Sequence, residues 1–163
     1  MKIDFTQLIP ELNEWNNDKG IAVESWIGCV GDFQKAIGYS TLFWPDFVEV
    51  EGCIVREGVS RENVIEWTEK HIDNPCRAEE TINHLHLDSL HHKGCEDISS
   101  ERLSYLGRIL KDIYACKLKR DFPNKTFVVK FYEPADKQDF ANYILTFYQA
   151  EQSKRRQSTP DGA

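Results

Sequence analysis

The stretch HLHLDSLHH, residues 84–92, contains four of the five histidines of the chain together with one aspartate. If this stretch is helical, residues four and seven positions apart share a face, so that His84, Asp88 and His91 line up while His86 points to the other side. Two imidazoles and a carboxylate form a suitable ligand set for zinc or a similar divalent ion. The spacing therefore predicts a partial metal site, which a partner or residues elsewhere in the chain would complete.

A solvated helix face explains the same residues without a ligand. Histidine is tolerated on exposed helix surfaces, and His84 and Asp88 are spaced for an ordinary contact between side chains four residues apart. Ala78, Ile82 and Leu85 would supply the side that faces the core. We favour this interpretation over the metal site, and we expect no cofactor.

As a strand, the stretch would place His84, His86 and Asp88 on one face, an arrangement that resembles the HxHxD part of the metallo-β-lactamase motif. That motif continues with a histidine directly after the aspartate, where this chain has Ser89, and it needs further histidines downstream, whereas none follows His92. The chain is also short for that fold. The sequence therefore predicts that the protein is not a metallohydrolase of this family.

A second candidate for chemistry is Cys29, in the segment GCVGD at 28–32. A thiol directly before a helix start has a lowered pKa, and a nucleophilic cysteine needs a base such as His71 or His84 nearby. We favour the alternative, a small buried residue in a glycine turn. The five cysteines include no CxxC pair, which argues against a disulfide framework and a zinc ribbon. With no export signal, we expect reduced thiols and a cytoplasmic protein.

The segment LFWPDFVEVE, residues 42–51, contains three aromatic and three acidic residues. Trp44 lies close to Asp46, Glu49 and Glu51 in this segment, and an aromatic anchor surrounded by acids suits a surface that binds a basic protein. Core aromatics with a solvated acidic edge are the alternative. These four residues are our predicted contact with a partner.

Acidic residues are concentrated in the N-terminal part of the chain. The 163 residues carry a net charge of −7. Residues 1–98 contain 19 acidic and 8 basic side chains, whereas residues 99–163 contain 8 acidic and 12 basic ones. The acidic part would repel nucleic acid and attract a basic protein. No apolar run approaches the roughly 20 residues that span a bilayer, so we expect no membrane partner.

Capping residues and hydrophobic periodicity predict the helices. We expect an N-terminal helix that begins at Pro10, where the missing amide is tolerated. Four further helices are predicted: 33–43 after Asp32, 61–72 after Ser60, 75–92 after Asn74 with a stop at Gly94, and 101–122 after Ser99 or Ser100.

Runs of β-branched and aromatic residues predict strands at 46–57 (bent at Gly52), 126–132 and 142–148, and 21–27 is a further strand candidate. The strands at 126–132 and 142–148 flank a loop and are expected to pair as a hairpin. Because helices and strands are segregated along the chain, we predict an α+β fold, with about five helices on a small, mainly antiparallel sheet of three to four strands. Residues 1–150 would form a single domain, followed by a disordered tail at 151–163.

Three segments carry a resemblance to known sequences: ELNEWNNDKGIAVESWIGCVGDFQKAIGYSTLFWPDFV (11–48), LKRDFPNKTFVVKFYEP (118–134) and YILTFYQ (143–149). The chain resembles a set of small, acidic bacterial proteins without an assigned activity, and the likeness covers most of residues 5–149. In size, acidity and lack of a catalytic motif it is similar in type to the immunity proteins that neutralise bacterial toxins. Immunity proteins share no common fold, so this resemblance implies a function for the chain but no particular fold.

We therefore expect a protein-binding module, and more specifically an immunity-type inhibitor whose acidic surface covers a basic toxin such as a nuclease. A small metal- or thiol-dependent enzyme is the first alternative, centred on His84, Asp88 and His91 or on Cys29. A structural subunit of a larger assembly is the second alternative.

Overall fold

The computed structural model describes residues 3–92 and 95–150. The chain divides into two compact units, Met1–Leu42 and Phe43–Ala163. As predicted, the fold class is α+β: the described residues form seven helices, five of them seven residues long or more, and two antiparallel sheets of two and three strands. Every helix in these ranges is too short or too polar to cross a bilayer. The single domain at 1–150 stays a prediction, and the tail predicted to be disordered, 151–163, lies outside the described residues.

Helical turns begin the first unit. α1 (Phe5–Leu8) starts after Asp4, whose side chain accepts a hydrogen bond from the amide of Thr6. Pro10 begins a separate 3-10 turn, so the helix predicted to begin there is only one short turn long. Proline restricts the residue before it to extended conformations, which keeps α1 from continuing into this turn.

α2 (Trp15–Asp18) is a single turn with unusual backbone angles. Asn16, Asn17 and Asp18 have positive φ values of 57°, 55° and 63°. Asparagine and aspartate tolerate this left-handed region because their short polar side chains form local hydrogen bonds. Here the Asn16 amide donates to the carbonyl of Gly20 at 2.9 Å.

Two longer helices complete the first unit, α3 (Val23–Val30) and α4 (Phe33–Phe43). The strand candidate at 21–27 is therefore wrong, because most of that segment lies in α3. No strand is described in the first unit, and a lone strand would leave its backbone groups unpaired, whereas a helix pairs them internally. Asp32 caps α4 as predicted, since its carboxylate accepts a hydrogen bond from the Lys35 amide at 2.7 Å.

The second unit begins with a tight hairpin of β1 (Phe47–Val50) and β2 (Cys53–Arg56). The prediction of one bent strand over 46–57 is therefore wrong. Glu51 and Gly52 both have positive φ, 49° and 80°, which is the geometry of a two-residue turn that suits twisted antiparallel strands. β-branched residues alternate on both sides of the turn, so the sequence pattern is that of one continuous strand.

The reversal decides which side chains share a face. Glu49 lies opposite Ile54 and Phe47 opposite Arg56, so Phe47 and Ile54 face the same side and join the main core. The other face packs into a smaller apolar cluster, to which the hairpin contributes Val48, Val50, Cys53 and Val55.

α5 (Arg61–Lys70) and α6 (Pro75–Ile82) start at their predicted caps, because the side chains of Ser60 and Asn74 each accept a backbone amide three residues ahead. Both helices end earlier than predicted. α6 in particular does not extend over 75–92, and this correction changes the arrangement of the histidines.

The residues after α6 form β3 (Leu85–His86) and then a 3-10 turn (Leu87–Leu90). The first residue of β3 is buried and the second is exposed, as expected of alternating side chains on a strand. The strand exists because it pairs with a segment nearly 60 residues further along, at Leu145 and Ile144. The predicted helix stop at Gly94 lies outside the described residues.

α7 (Ser100–Asp121) begins after Ser99, whose hydroxyl accepts the Arg102 amide. β4 (Phe127–Tyr132) and β5 (Ile144–Gln149) pair antiparallel over their full lengths, which confirms the predicted hairpin. The strand order is β3-β5-β4, so β5 is the central strand. α7 packs on one face of this sheet, and the fully or nearly buried core side chains there are Leu103, Leu110, Tyr114, Leu118, Leu145 and Phe147.

Two buried polar side chains, Glu79 in α6 and Asn83 directly after it, connect the two sheets. The carboxylate of Glu79 accepts the amide of Ile54 in β2 at 2.6 Å and the amide of Gln149 in β5 at 2.6 Å. The amide group of Asn83 donates to the carbonyls of Ile54 (2.9 Å) and Phe147 (3.3 Å). Side chains thus supply the hydrogen bonds that neighbouring strands would otherwise make directly, and they do so where water is excluded.

Burial raises the pKa of the Glu79 carboxyl above its ordinary value of 4.5, although hydrogen bonds from the amides of Gln149 and Ile54 favour the charged form. The folded chain therefore holds a proton between pH 4.5 and this raised pKa that the unfolded chain releases. The contribution of Glu79 to stability falls as the pH rises through that window.

We expect Glu79→Leu to lower the free energy of unfolding by roughly 2–4 kcal/mol, because two buried backbone amides lose their acceptor. The stability difference between the wild-type protein and this variant should shrink as the pH rises from about 4.5 through the raised pKa of Glu79. Urea denaturation at a series of pH values measures both effects. Glu69→Leu, on the exposed face of α5, is the matched control and should change stability by less than about 0.5 kcal/mol. A pH-independent difference would contradict the raised pKa.

α7 and β4 approach each other closely at Gly107. A Cβ atom added there would lie 2.1 Å from Cε2 and 2.2 Å from Cζ of the Phe131 ring. That ring packs against the main core. The absence of a side chain at this position therefore lets the helix rest directly on the sheet.

We expect Gly107→Ala to lower the free energy of unfolding by roughly 1–3 kcal/mol, because the Phe131 ring must move out of a packed site. Alanine is the better helix former, so an isolated helix would respond in the opposite direction. Gly28→Ala in α3 is the control, since a Cβ there meets no atom within 4 Å. Denaturation curves that show the same shift for both variants would contradict the close approach.

Candidate functional site

The structure brings together a different pair of histidines from the one predicted. His84 follows α6 and His86 ends β3, and the centres of their rings lie 6.1 Å apart in an edge-to-face arrangement. Because α6 stops at Ile82, the helix face that would align His84, Asp88 and His91 does not exist. Within residues 3–92 and 95–150, no group of three or more histidine, cysteine, aspartate or glutamate side chains is placed to hold a metal ion.

His84, His86 and Asp88 of the histidine stretch each interact with different groups. His86 Nδ1 lies 2.8 Å from the carbonyl oxygen of Ala141, and Asp88 accepts a hydrogen bond from Ser89 at 3.1 Å. Burial lowers the pKa of His84 below 6.5, and His86 lowers it further, against the opposing effect of Glu80. His84 is therefore a neutral imidazole at pH 7, with one nitrogen able to donate a hydrogen bond and one able to accept.

Trp44 is 44% exposed, and cationic side chains of α7 lie over its indole ring. The guanidinium of Arg120 is 4.9 Å from the ring centre and the ammonium of Lys117 is 5.6 Å away. Both distances are within the range of a cation–π interaction. One face of the predicted anchor is thus already in contact with this chain.

Lys117 is a buried cation, with only 4% of its side chain exposed. Its ammonium lies 2.5 Å from a carboxylate oxygen of Asp121 and 3.5 Å from one of Asp46. The hydrogen bond from Lys117 is the main reason that the pKa of Asp121 is lowered. This ion pair fixes the last turn of α7 beside the segment that leads into β1.

The three carboxylates of the predicted contact all pair with bases of the same chain. Asp46 pairs with Lys117, Glu49 with Lys125 at 2.8 Å, and Glu51 with Arg61 at 2.6 Å. These pairs reduce the negative potential that the sequence segment indicates on its own. The basic partners were not apparent from the segment because the fold brings them from other elements.

Cys29 lies in the last turn of α3 and is an exposed free thiol. The expectation that it precedes a helix start is therefore wrong, as is the alternative that it is buried in a turn. The C-terminal end of a helix carries partial negative charge, unlike the N-terminal end at which the expectation placed this thiol. The position gives no electrostatic support for a nucleophile.

Sequence analysis missed an apolar surface on α3 and α4. Ile27 and Val30 of α3 are 53% and 46% exposed, and Phe33 and Ile37 of α4 are 89% and 69% exposed. Neither helix contains a buried residue. Spacings of three and four residues place each pair on one side of its helix, and this signal was available in the sequence. The sequence analysis did not single out these residues, because periodicity does not reveal what a helix face contacts.

No protein-family model matches the chain, and no curated protein or solved structure matches it. The resemblance to small acidic bacterial proteins and to immunity proteins therefore stays a prediction. Assignment of a function rests on the geometry of the described residues and on the charge of the sequence.

We expect Asp121→Ala to lower the free energy of unfolding by roughly 2–4 kcal/mol, because the buried ammonium of Lys117 loses its close partner. Asp112→Ala removes an exposed carboxylate from the same helix, and should change stability by less than about 0.5 kcal/mol. Thermal and urea denaturation measure both variants. Equal, small effects would show that Lys117 is stabilised without Asp121.

Proposed function

We propose that this protein acts by binding another protein, as an immunity-type inhibitor that covers a basic toxin. The observation that supports it is the exposure of four large apolar side chains on α3 and α4, with Phe33 89% exposed. Burying such a side chain in an interface contributes roughly 1.5–3 kcal/mol. Exposed large apolar residues that cluster, as the pair on each of these helices does, are typical of a contact surface.

The charge of the chain supports a basic partner. Residues 1–98, which include both helices, contain 19 acidic and 8 basic side chains. An excess of this kind speeds the approach of a positively charged protein and discriminates against acidic ones. Proteins that act on nucleic acids carry basic surfaces, and an acidic cover would block such a surface by charge and by bulk.

Trp44, Asp46, Glu49 and Glu51 form a weaker second candidate for the contact. Trp44 retains an exposed fraction of 44%, but the three carboxylates would have to exchange their internal partners for those of the bound protein. Such an exchange gains little, since exposed ion pairs contribute about 0–1 kcal/mol each. We therefore assign the main contact to α3 and α4.

Free thiols suit a reducing compartment. None of the five cysteines, all of which lie in the described residues, forms a disulfide, which fits our proposal that the inhibitor acts in the bacterial cytoplasm. The inhibitor would bind there any toxin that acts inside the cell that produces it.

The experiment is native mass spectrometry of the protein purified from the organism that encodes it. We expect a complex with a protein of basic isoelectric point. Phe33→Ser combined with Ile37→Ser should weaken that complex by about a hundredfold, because two exposed anchors lose their apolar contacts. Ile72→Ser is the matched control, since Ile72 is 55% exposed in the second unit and should leave affinity unchanged. An acidic partner, or equal effects of the two sets of variants, would contradict the proposal.

Ionic strength separates the charge contribution from the apolar one. The association rate constant with that partner should fall steeply between about 50 mM and about 500 mM salt, because screening weakens long-range attraction. Stopped-flow mixing measures this rate. If the partner is a toxin, its activity should also disappear in the complex, whereas a partner that remains active would indicate a structural subunit instead.

A further inference from the structure

A cavity of about 520 Å³ lies between α6 and one face of the β4–β5 hairpin. Arg77, Glu80 and His84 line it from the helix side, and Tyr132 and Tyr148 line it from the sheet. Sites for small molecules in proteins typically measure about 300–1,000 Å³ and combine aromatic walls with a few polar groups. The cavity falls in that range, and it is separate from α3, α4 and the Trp44 segment in sequence and in lining.

The walls of the cavity belong to firmly paired elements. Tyr132 lies opposite Ile144 and Tyr148 opposite Val128 in the antiparallel ladder, so both tyrosines project from the same face of the hairpin. The hydroxyl of Thr146, on this face, donates to the carbonyl of Glu80 at 2.5 Å and fastens α6 over the sheet. A ligand would therefore meet a largely preformed site.

The carboxylate of Glu80 is already neutralised inside the cavity. It accepts hydrogen bonds from the ammonium of Lys130 at 3.0 Å and from the hydroxyl of Tyr132 at 2.9 Å. Burial by itself raises the pKa of Glu80, but these two hydrogen bonds and the positive charge of Lys130 together lower it. The ammonium of Lys130 also lies 4.7 Å from the centre of the Tyr148 ring. Glu80 and Lys130 together contribute no net charge.

Arg77 leaves the cavity with a net positive charge. Its guanidinium is exposed, and none of the carboxylates in the described part of the chain lies within ion-pair distance of it. A guanidinium presents a planar fork of donors that matches a carboxylate or a phosphate. His84, which follows α6 and is half-buried, lines the same cavity and adds a further donor.

We propose that this cavity binds a small organic anion with a planar ring. Its acidic group pairs with the guanidinium of Arg77 and accepts a hydrogen bond from the imidazole of His84, while its ring packs against Tyr132 and Tyr148. Glu80, neutralised by Lys130, holds Tyr132 in place through the hydrogen bond that it accepts from the Tyr132 hydroxyl. None of the residues that line the site belongs to α3 or α4, so the two proposals stand or fall separately.

Titration with benzoate, followed by two-dimensional amide NMR of the full chain, tests the site. We expect saturable shifts confined to α6, β4 and β5. Arg77→Gln should weaken the affinity for benzoate by about tenfold or more, because it removes a charge-assisted, bidentate contact. Arg61→Gln is the matched control: Arg61 pairs with Glu51 in the hairpin of β1 and β2, and its loss should leave the affinity within about twofold.

Two further measurements separate charge from shape. Benzyl alcohol and benzamidine carry the same ring without the negative charge and should bind at least about tenfold more weakly than benzoate. Thr81→Phe fills the cavity and leaves Arg77 in place, and it should abolish binding. The proposal is overturned if benzoate shows no saturable binding, if the three ring compounds bind alike, or if Arg77→Gln and Arg61→Gln have equal effects.

Discussion

A buried carboxylate between two strand edges is the constraint on which the second unit depends. Glu79 accepts amides from both β2 and β5, and Asn83 one turn later donates to carbonyls of the same two strands. Both sheets are thereby fixed to α6 without direct pairing between them. The buried face of α6 carries Glu79 and forms this bridge. The adjacent face of α6 lies over the β4–β5 hairpin, and the cavity lies between the two.

Features set within three or four residues of sequence were predicted correctly. The caps at Asp32, Ser60, Asn74 and Ser99 are of this kind, because a side chain that accepts the third amide ahead needs no help from the rest of the fold. Features set by distant partners were not. β3 exists only because β5 pairs with it. The β1–β2 reversal is a local feature that was nevertheless missed, because the strand pattern continues on both sides of the turn at Glu51 and Gly52.

The candidate sites divide in the same way. Residue types at Trp44, Asp46, Glu49 and Glu51 suggested a charged contact, but the bases that pair with those acids come from α5, α7 and the loop before β4. Conversely, the exposed side of α3 and α4 has the pattern of a buried helix face, and only the three-dimensional structure shows that no described residue covers it. Sequence indicates which side chains are available, and the fold decides which are left free to bind.

The central position of β5 also governs the order of events during synthesis. This strand is the last described element, yet it pairs with both β4 and β3 and receives the Glu79 bridge. A ribosome that has released α6 and α7 has therefore not yet supplied the strand β5, against which both helices pack. Closure of the second unit must wait until Gln149 has emerged, so that this unit folds late and through contacts between distant residues, while the helices of the first unit need no such delay.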